Sequence, residues 1–448
     1  MKNVLLFHIG SPKTGTTSLQ SFLFNNAGML KKYDWSYPDL SRFDVVTGDK
    51  YLWRNGQNLR WIESEEKRNE VWQIIAENLK QQNVIISDEG NWDGKFSTVL
   101  SEAKRIDCVI KVIVYLRRQD QYIESYYNEA VKAGYMHNSI QEYMNPMPSY
   151  VDSGVYEIDD YWSRLEDIGK MVGYENIIVR PFEKQQFKGV RRDIISDFMC
   201  TILKGAEPDW SEFCIPDHEN TSLYGNYFEI KKLLNVVGND ERKPWKKEYT
   251  EPLMQLNGKY GNIYSDRVAE RYLTTQERKV ILDKQKENNS KIAKKYLNKD
   301  SGQLFLDTNL DFPVYKEVAT PFEEDLVRIS SMLFHRMSTK IEMLPLLTAI
   351  KILKKGRQLF VYGAGERGKN LLDYPFVPDI IIDNDIKKRG RAIRSVQIIG
   401  VEDVESWSSC LVIVTPYHCT EIEQQLQSFG LKKNEEYILM NDFVDDYL

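Results

Sequence analysis

The stretch HIGSPKTGTTS, residues 8–18, follows the apolar run VLLF and gathers two glycines, five hydroxyl side chains and one lysine. A strand, a glycine-rich turn and a helix (SLQSFLFNNAGML) in succession aim backbone N–H groups and a helix N-terminus at phosphate. Gly10 and Gly15 have the spacing of a nucleotide-binding GxxxxGK[ST] loop, but Thr16 stands where its lysine belongs, and Lys13 lies inside the turn. That disfavours a standard nucleoside triphosphatase. From inside the turn the Lys13 ammonium can lie along a group in transfer and neutralise charge on the leaving oxygen, with Thr14, Gly15, Thr16, Thr17 and Ser18 as the cradle. A glycine turn of structural use only and an unusual nucleotide loop are the competing readings.

A second anion-binding pattern lies in VIVYLRRQDQYIESYYNEAVK. A buried strand ends at Arg117, where ligands of parallel sheets collect, and Ser125 follows eight residues later in the early helix. A permanently charged, bidentate guanidinium with a hydroxyl suits a terminal phosphate. A salt-bridged Arg117 beside an ordinary helical serine is the alternative.

In this order, the two motifs resemble those of PAPS-dependent sulfotransferases, the bacterial carbohydrate type in particular. HIGSPKTGTTSLQ is similar to the loop that grips the 5'-phosphosulfate of 3'-phosphoadenosine 5'-phosphosulfate (PAPS). Arg117 and Ser125 match the pair that binds its 3'-phosphate. The resemblance implies that Lys13 assists departure of the diphosphate while Gly15, Thr16, Thr17 and Ser18 hold the phosphosulfate. It also implies the sulfotransferase fold, a P-loop-like parallel sheet flanked by helices. NIIVRPFEKQQFKG, RRDIISDFMCTI and HENTSLYGNYFEIKKLLN resemble later stretches of bacterial members. Of their polar residues, Asn220 is open between ligand contact and structure, and Arg180 reads as structural.

Sulfuryl transfer to a hydroxyl or amine needs a base for the acceptor's proton. The strand NVIISDEGNW ends in Glu89, the first choice, and Asp88, its rival, since successive strand residues face opposite sides. His8 is expected to order the site, and His218 is a distant third. No essential metal is expected, because amide dipoles and Lys13 can serve where phosphoryl transfer uses magnesium. Between loop and base lies DKYLWRNGQNLRWIESEEKR, whose Trp53, Arg54, Asn55 and Gln57 are candidate contacts to a sugar acceptor. Packed tryptophans are the competing reading.

These motifs need a scaffold, and short β-branched runs at 3–9, 83–88, 109–115 and 175–180 supply one: a parallel sheet covered by helices. Expected boundaries are 1–300 for this α/β domain, 301–354 for a helical linker region and 355–448 for a small Rossmann-like α/β domain. In the last, VYGAGERG places Gly363, Gly365 and Gly368 in GxGxxG spacing, with Asp383 closing the next strand. It resembles small domains attached to enzymes of bacterial sugar-nucleotide and surface-glycan metabolism, which implies a nucleotide or sugar nucleotide as ligand, or scaffolding alone. Residues 218–345 look polar and helical, without active chemistry. The join KIEMLPLLTAIKILKKG reads as a helix docked on protein, interrupted at Pro345, or as a peripheral membrane contact.

With 28% charged residues, 42% hydrophobic and a net charge of −6, the chain shows no preference for nucleic acid. The first apolar run is too short for a signal or a transmembrane span, so a cytoplasmic location is expected. Five cysteines without a CxxC pair read as free thiols. The function expected is sulfuryl transfer from PAPS to a carbohydrate, such as a precursor of a capsular or other surface glycan. The alternative is a non-catalytic nucleotide-binding or sensing protein working through the C-terminal domain.

Overall fold

The computed structural model describes residues 2–43, 54–62, 64–92, 96–148, 157–216, 222–237, 246–260, 271–313, 322–372, 374, 377–393 and 396–444. It forms two compact units, Met1–Ile329 and Ser330–Leu448.

The first unit is built on five strands: β1 (Val4–His8), β2 (Trp35–Ser36), β3 (Asn83–Ser87), β4 (Val109–Leu116) and β5 (Ile177–Pro181). Their order is β2-β3-β1-β4-β5, and every pairing is parallel. The strands read as unbroken apolar runs because both faces are covered. Leu6, Ile85, Ile113 and Tyr115 pack with Leu19, Phe22 and Leu23 of the Thr16–Asn25 helix and Phe198 and Met199 of the Ile194–Ile202 helix. On the opposite face Phe7 meets Phe96 of the Phe96–Ala103 helix edge to face, 5.3 Å between centroids. His8 shares the Leu6 face, its ring against Tyr115 and Phe198, as alternation along a strand requires. Only the short β2 escaped the sequence reading of this sheet.

Because all five strands run the same way, the turns after β1, β3 and β4 emerge on one edge. They carry the Lys13 loop, the Asp88–Glu89 pair and Arg117. The central strand β1 lies between the other two, which puts the three motifs side by side.

The second unit contains β6 (Gln358–Tyr362), β7 (Ile380–Ile382), β8 (Ala392–Ile393), β9 (Val396–Ile399), β10 (Cys410–Val414) and β11 (Tyr437–Leu439), ordered β11-β10-β6-β7-β9-β8. All pairings are parallel except β8 with β9, a hairpin that sequence alternation did not reveal. The chain leaves β6 in one direction and returns to β10 on its other side, as in doubly wound sheets.

The stretch expected as a linker divides between the units. Residues 304–309 hydrogen-bond to the first: Gln186 donates to the Leu304 carbonyl and Arg118 to those of Asp307 and Asn309. The helix Phe322–Lys354 runs through Pro345 rather than stopping there. On either side of it, Met343, Leu346 and Ile350 are buried against Leu359, Val361 and Leu411 of the second sheet, an i, i+3, i+7 stripe docked on protein. Among the described residues no helix is long and apolar enough to cross a membrane.

Candidate functional site

The loop between β1 and the Thr16–Asn25 helix is held from below. Ser11 donates its amide (3.3 Å) and its hydroxyl (2.9 Å) to the Tyr115 carbonyl of β4, and the Thr14 hydroxyl donates to the Ser11 carbonyl at 2.6 Å. Two residues of the turn adopt the left-handed region, Lys13 at φ 67° and Gly15 at φ 74°. That conformation is uncommon for lysine and marks a strained turn fixed by its surroundings. Gly15 needs its missing side chain for a second reason, since a Cβ would sit 3.3 Å from Ile194 and Phe182. Among the described residues none accepts a hydrogen bond from the amides of Lys13 through Ser18; the first to find a carbonyl is Leu19, on Gly15 at 3.2 Å. A row of unclaimed N–H groups at a helix start is a cradle for an anion.

Arg117 closes one side of this cradle. Its Nη1 donates to the Lys13 carbonyl at 3.2 Å, its guanidinium lies 5.9 Å over the Phe182 ring, and its buried Nε has no protein partner. Burial lowers its pKa from the ordinary guanidinium value, a sign of a charge not fully compensated. Its backbone is fixed by Tyr161, whose hydroxyl donates to the Arg117 carbonyl at 2.8 Å. Ser125 is half-buried on the Gln119–Lys132 helix, one turn before Glu129 and on the same face. Glu129 receives the Lys13 ammonium at 2.8 Å. The structure thus joins Lys13 and Arg117 at one loop, with Ser125 one helical turn from the carboxylate that Lys13 pairs with.

The two carboxylates after β3 have different surroundings. Asp88 is 1% exposed; it accepts from both Nε and Nη2 of Arg60 and from the Gly90 amide at 3.0 Å, capping the short turn Glu89–Asn91. Glu89 reaches the loop instead, accepting from the Thr16 hydroxyl through Oε2 and pairing with Arg54 through Oε1 at 3.3 Å. Each carboxylate therefore has its own arginine, one buried for structure and one at the loop.

Of the expected acceptor contacts, Arg54 is the half-buried partner of Glu89. Asn55 is 1% exposed and braces the sheet: it donates to the carbonyls of Pro38 (3.3 Å) and Ile85 (3.0 Å) and accepts from the Ser87 amide (2.8 Å). A substrate has no access to it. Gln57 opens the short helix Gln57–Trp61, with its side chain outside the described part. Trp53, His218 and Asn220 lie outside the described residues.

His8 is fully buried beneath the loop, with Nδ1 2.7 Å from the Ser87 hydroxyl and Nε2 without a partner. Burial drives its pKa down to about 3, so the ring is neutral at physiological pH. Arg180 pairs with both carboxylate oxygens of the buried Asp197, which also receives the Tyr115 hydroxyl at 2.8 Å.

Sequence reasoning missed a buried ionic brace behind Arg117. Arg118 grips Asp120 with two bonds of 2.7 and 2.8 Å, and Arg278 of the Thr275–Leu297 helix reaches Asp120 at 2.7 Å and Glu124 at 2.6 Å. Burial alone would raise the Asp120 pKa, but the Arg118 and Arg278 bonds and charges hold it below the ordinary value. Arg278 lies in the stretch 218–345 that reads as polar and helical without active chemistry, and its partners Asp120 and Glu124 stand 158 and 154 positions away, so no local pattern could announce it.

In the second unit Gly363 has φ 114° and Gly368 lies so close to it that a Cβ would come within 1.9 Å of the Gly363 carbonyl oxygen. Gly365 precedes the six-residue helix Glu366–Leu371. Asp383 accepts from the Ala364 amide (2.8 Å), the Asp385 amide (2.9 Å) and the Lys388 ammonium (2.9 Å). Its carboxylate therefore binds the glycine loop itself.

No family model matches the chain. An uncharacterized protein of Archaeoglobus fulgidus is 24% identical over 233 residues, 51% of this chain and 58% of the relative, so the chain spans little more than half of that protein. Among solved structures, a sulfotransferase from Alicyclobacillus acidocaldarius aligns over 54% of this chain and 98% of its own, with 16% identity and a TM-score of 0.30. The sulfotransferase domains of the Synechococcus PCC 7002 olefin synthase and of the curacin biosynthetic pathway each align over 58% of this chain and 96% and 98% of theirs. Their identities are 16% and 12%, both at a TM-score of 0.28. Likenesses at this level leave the chemistry to the site's own geometry.

Proposed function

We propose that the protein is a sulfotransferase that moves the sulfuryl group of PAPS to a hydroxyl or amine of a carbohydrate, such as a precursor of a capsular or other bacterial surface glycan. The observation that carries this reading is the bond from Arg117 to the Lys13 carbonyl, which brings a guanidinium and an ammonium to one cradle of unclaimed amides. A donor with two separate anionic groups fits these residues. The amides of residues 13–18 suit the phosphosulfate, and the unpartnered Nε of Arg117 with the Ser125 hydroxyl suits the 3'-phosphate.

PAPS supplies an activated sulfuryl group with adenosine 3',5'-diphosphate as leaving group. Lys13 neutralises the charge that collects on the bridging oxygen as the sulfur–oxygen bond breaks. Glu89 takes the proton of the acceptor hydroxyl or amine as the new bond to sulfur forms. Thr16 and Arg54 hold Glu89 in place, and Asp88 keeps the turn rigid through Arg60. The carbohydrate class rests on the polar, aromatic text around Arg54 and Trp53.

Incubation with labelled PAPS and a panel of glycans tests the proposal. Transfer that is lost in Lys13→Ala supports it; no transfer and no binding of adenosine 3',5'-diphosphate would reject it.

For the second unit we propose a nucleotide or sugar-nucleotide site at the crevice between the Gly363 loop and the turn after β10, where Thr415 donates to the Tyr362 and Gly363 carbonyls at 3.1 Å. Asp383, engaged with the loop, serves there as its brace. Thermal-shift titration with NAD and sugar nucleotides tests this.

A further inference from the structure

Lys13 is not the only ammonium on Glu129. Lys132, three residues further on the same helix, places its Nζ 3.4 Å from the same Oε2 that Lys13 holds at 2.8 Å. Burial alone would raise the Glu129 pKa, yet the two lysine charges outweigh it and hold the carboxyl below its ordinary value. Lys132 is 8% exposed, and burial lowers its own pKa. The end of its helix is pinned: Asn235 donates to the Val131 carbonyl at 2.8 Å and Thr250 to the Lys132 carbonyl at 3.1 Å. Lys13, by contrast, sits on a loop. One carboxylate thus faces a loop ammonium on one side and a helix ammonium on the other.

This arrangement matters because the same Lys13 is needed by an incoming anion. If Glu129 had Lys13 alone, donor binding would strip the carboxylate of its counter-charge and leave it beside a phosphosulfate, two like charges in a half-buried place. With Lys132 at hand, the carboxylate retains a partner after Lys13 turns to the donor. We propose that Glu129 and Lys132 are positioning residues for Lys13, with Glu129 passing from Lys13 to Lys132 when the phosphosulfate binds. The proposal rests on the sulfotransferase reading above. It assigns Glu129 a competing role toward the donor and Lys132 a permissive one, neither of which needs contact with the sulfuryl group.

The opposite signs make the test specific. Calorimetric titration of the full chain with adenosine 3',5'-diphosphate, and steady-state KM for PAPS against kcat, would be measured for wild type, Glu129→Gln, Lys132→Met and the double variant. Methionine keeps most of the buried lysine stem, and melting curves check that each variant is folded. Removing the competing carboxylate in Glu129→Gln should tighten diphosphate binding by roughly fivefold, whereas Lys132→Met should weaken it by about tenfold, the scale of one charge interaction in a half-buried site. In the double variant the loss should be largely cancelled, a coupling that independent structural damage does not produce. Should Lys132→Met fail to fold, Glu129→Gln decides alone: binding that is unchanged or weaker overturns the exchange. Wild-type binding with additive effects in the cycle also overturns it and leaves the sulfotransferase reading standing. Absence of wild-type binding removes both.

Discussion

Arg117 donates from Nη1 to the carbonyl oxygen of Lys13 at 3.2 Å, joining the end of β4 to the turn that follows β1. Because β1 and β4 are parallel neighbours, this bond spans one inter-strand step at the sheet's carboxyl edge and fixes the separation between two anion-binding elements. Tyr161 holds the Arg117 backbone, and the Arg118–Asp120–Arg278–Glu124 brace holds the helix that begins next to it. The geometry of the cradle therefore depends on residues from four separate stretches of chain.

Arg117→Ala should raise the KM for PAPS by about 10- to 100-fold, the effect of losing charge-assisted hydrogen bonds to a phosphate. Arg117→Lys should fall between, since an ammonium restores charge without the fork. Parallel titrations with adenosine 3',5'-diphosphate and adenosine 5'-phosphate separate the causes. Affinity for the first should drop and for the second stay level; an equal loss for both would mean that Arg117 supports the loop and binds no 3'-phosphate.

The two carboxylates after β3 should divide cleanly between rate and stability. Glu89→Gln keeps the shape of the side chain but removes the base, so kcat should fall by about 10²- to 10⁴-fold with the KM for PAPS little changed. Asp88→Asn breaks the buried pair with Arg60 and should lower stability by about 3–5 kcal/mol, visible as a fall in Tm. A Glu89→Gln enzyme with wild-type kcat would remove Glu89 as base.

Much of this was legible in the sequence because strand runs and loop motifs are local. The strands buried on both faces announce themselves as continuous apolar text, and Lys13 stands out by its spacing from Gly10 and Gly15. Glu89 ranks ahead of Asp88 as base from the sequence, but how the two differ shows only in their partners Arg54 and Arg60. Asn55 looked like a ligand because amides bind sugars, yet the same donor and acceptors satisfy backbone groups of β3. Arg278 and the Lys13–Glu129 pair were invisible for the reason that makes them important: folding alone brings their members together.

In the second unit, Gly368→Ala would force a methyl group onto the Gly363 carbonyl, where a Cβ would lie 1.9 Å away. The glycine loop must then shift off its helix, at about 1–3 kcal/mol or more. Calorimetric scanning should show the transition of this unit moving down while sulfuryl transfer by the folded enzyme persists. A variant with unchanged melting would mean that the loop adapts freely and that Gly368 is not needed for the close approach.

His8 should make the first unit acid-labile. Its folded pKa is about 3, against an ordinary value of 6.5, so between these pH values the unfolded chain binds a proton that the folded one refuses. Stability from the neutral buried ring is fully present above pH 6.5 and falls as pH drops through the window, by about 1.4 kcal/mol per pH unit until the folded ring also protonates near pH 3. Carboxylates add their own slopes below pH 5, so the window from 6.5 to 5 reports His8 most directly. His8→Asn, which can keep the hydrogen bond to Ser87, should be less stable at pH 8 but show a flatter decline across that window. Urea unfolding at half-unit intervals of pH measures both slopes, and equal slopes for the two proteins would mean that the imidazole is protonated in the fold and that the loop rests on a charged ring.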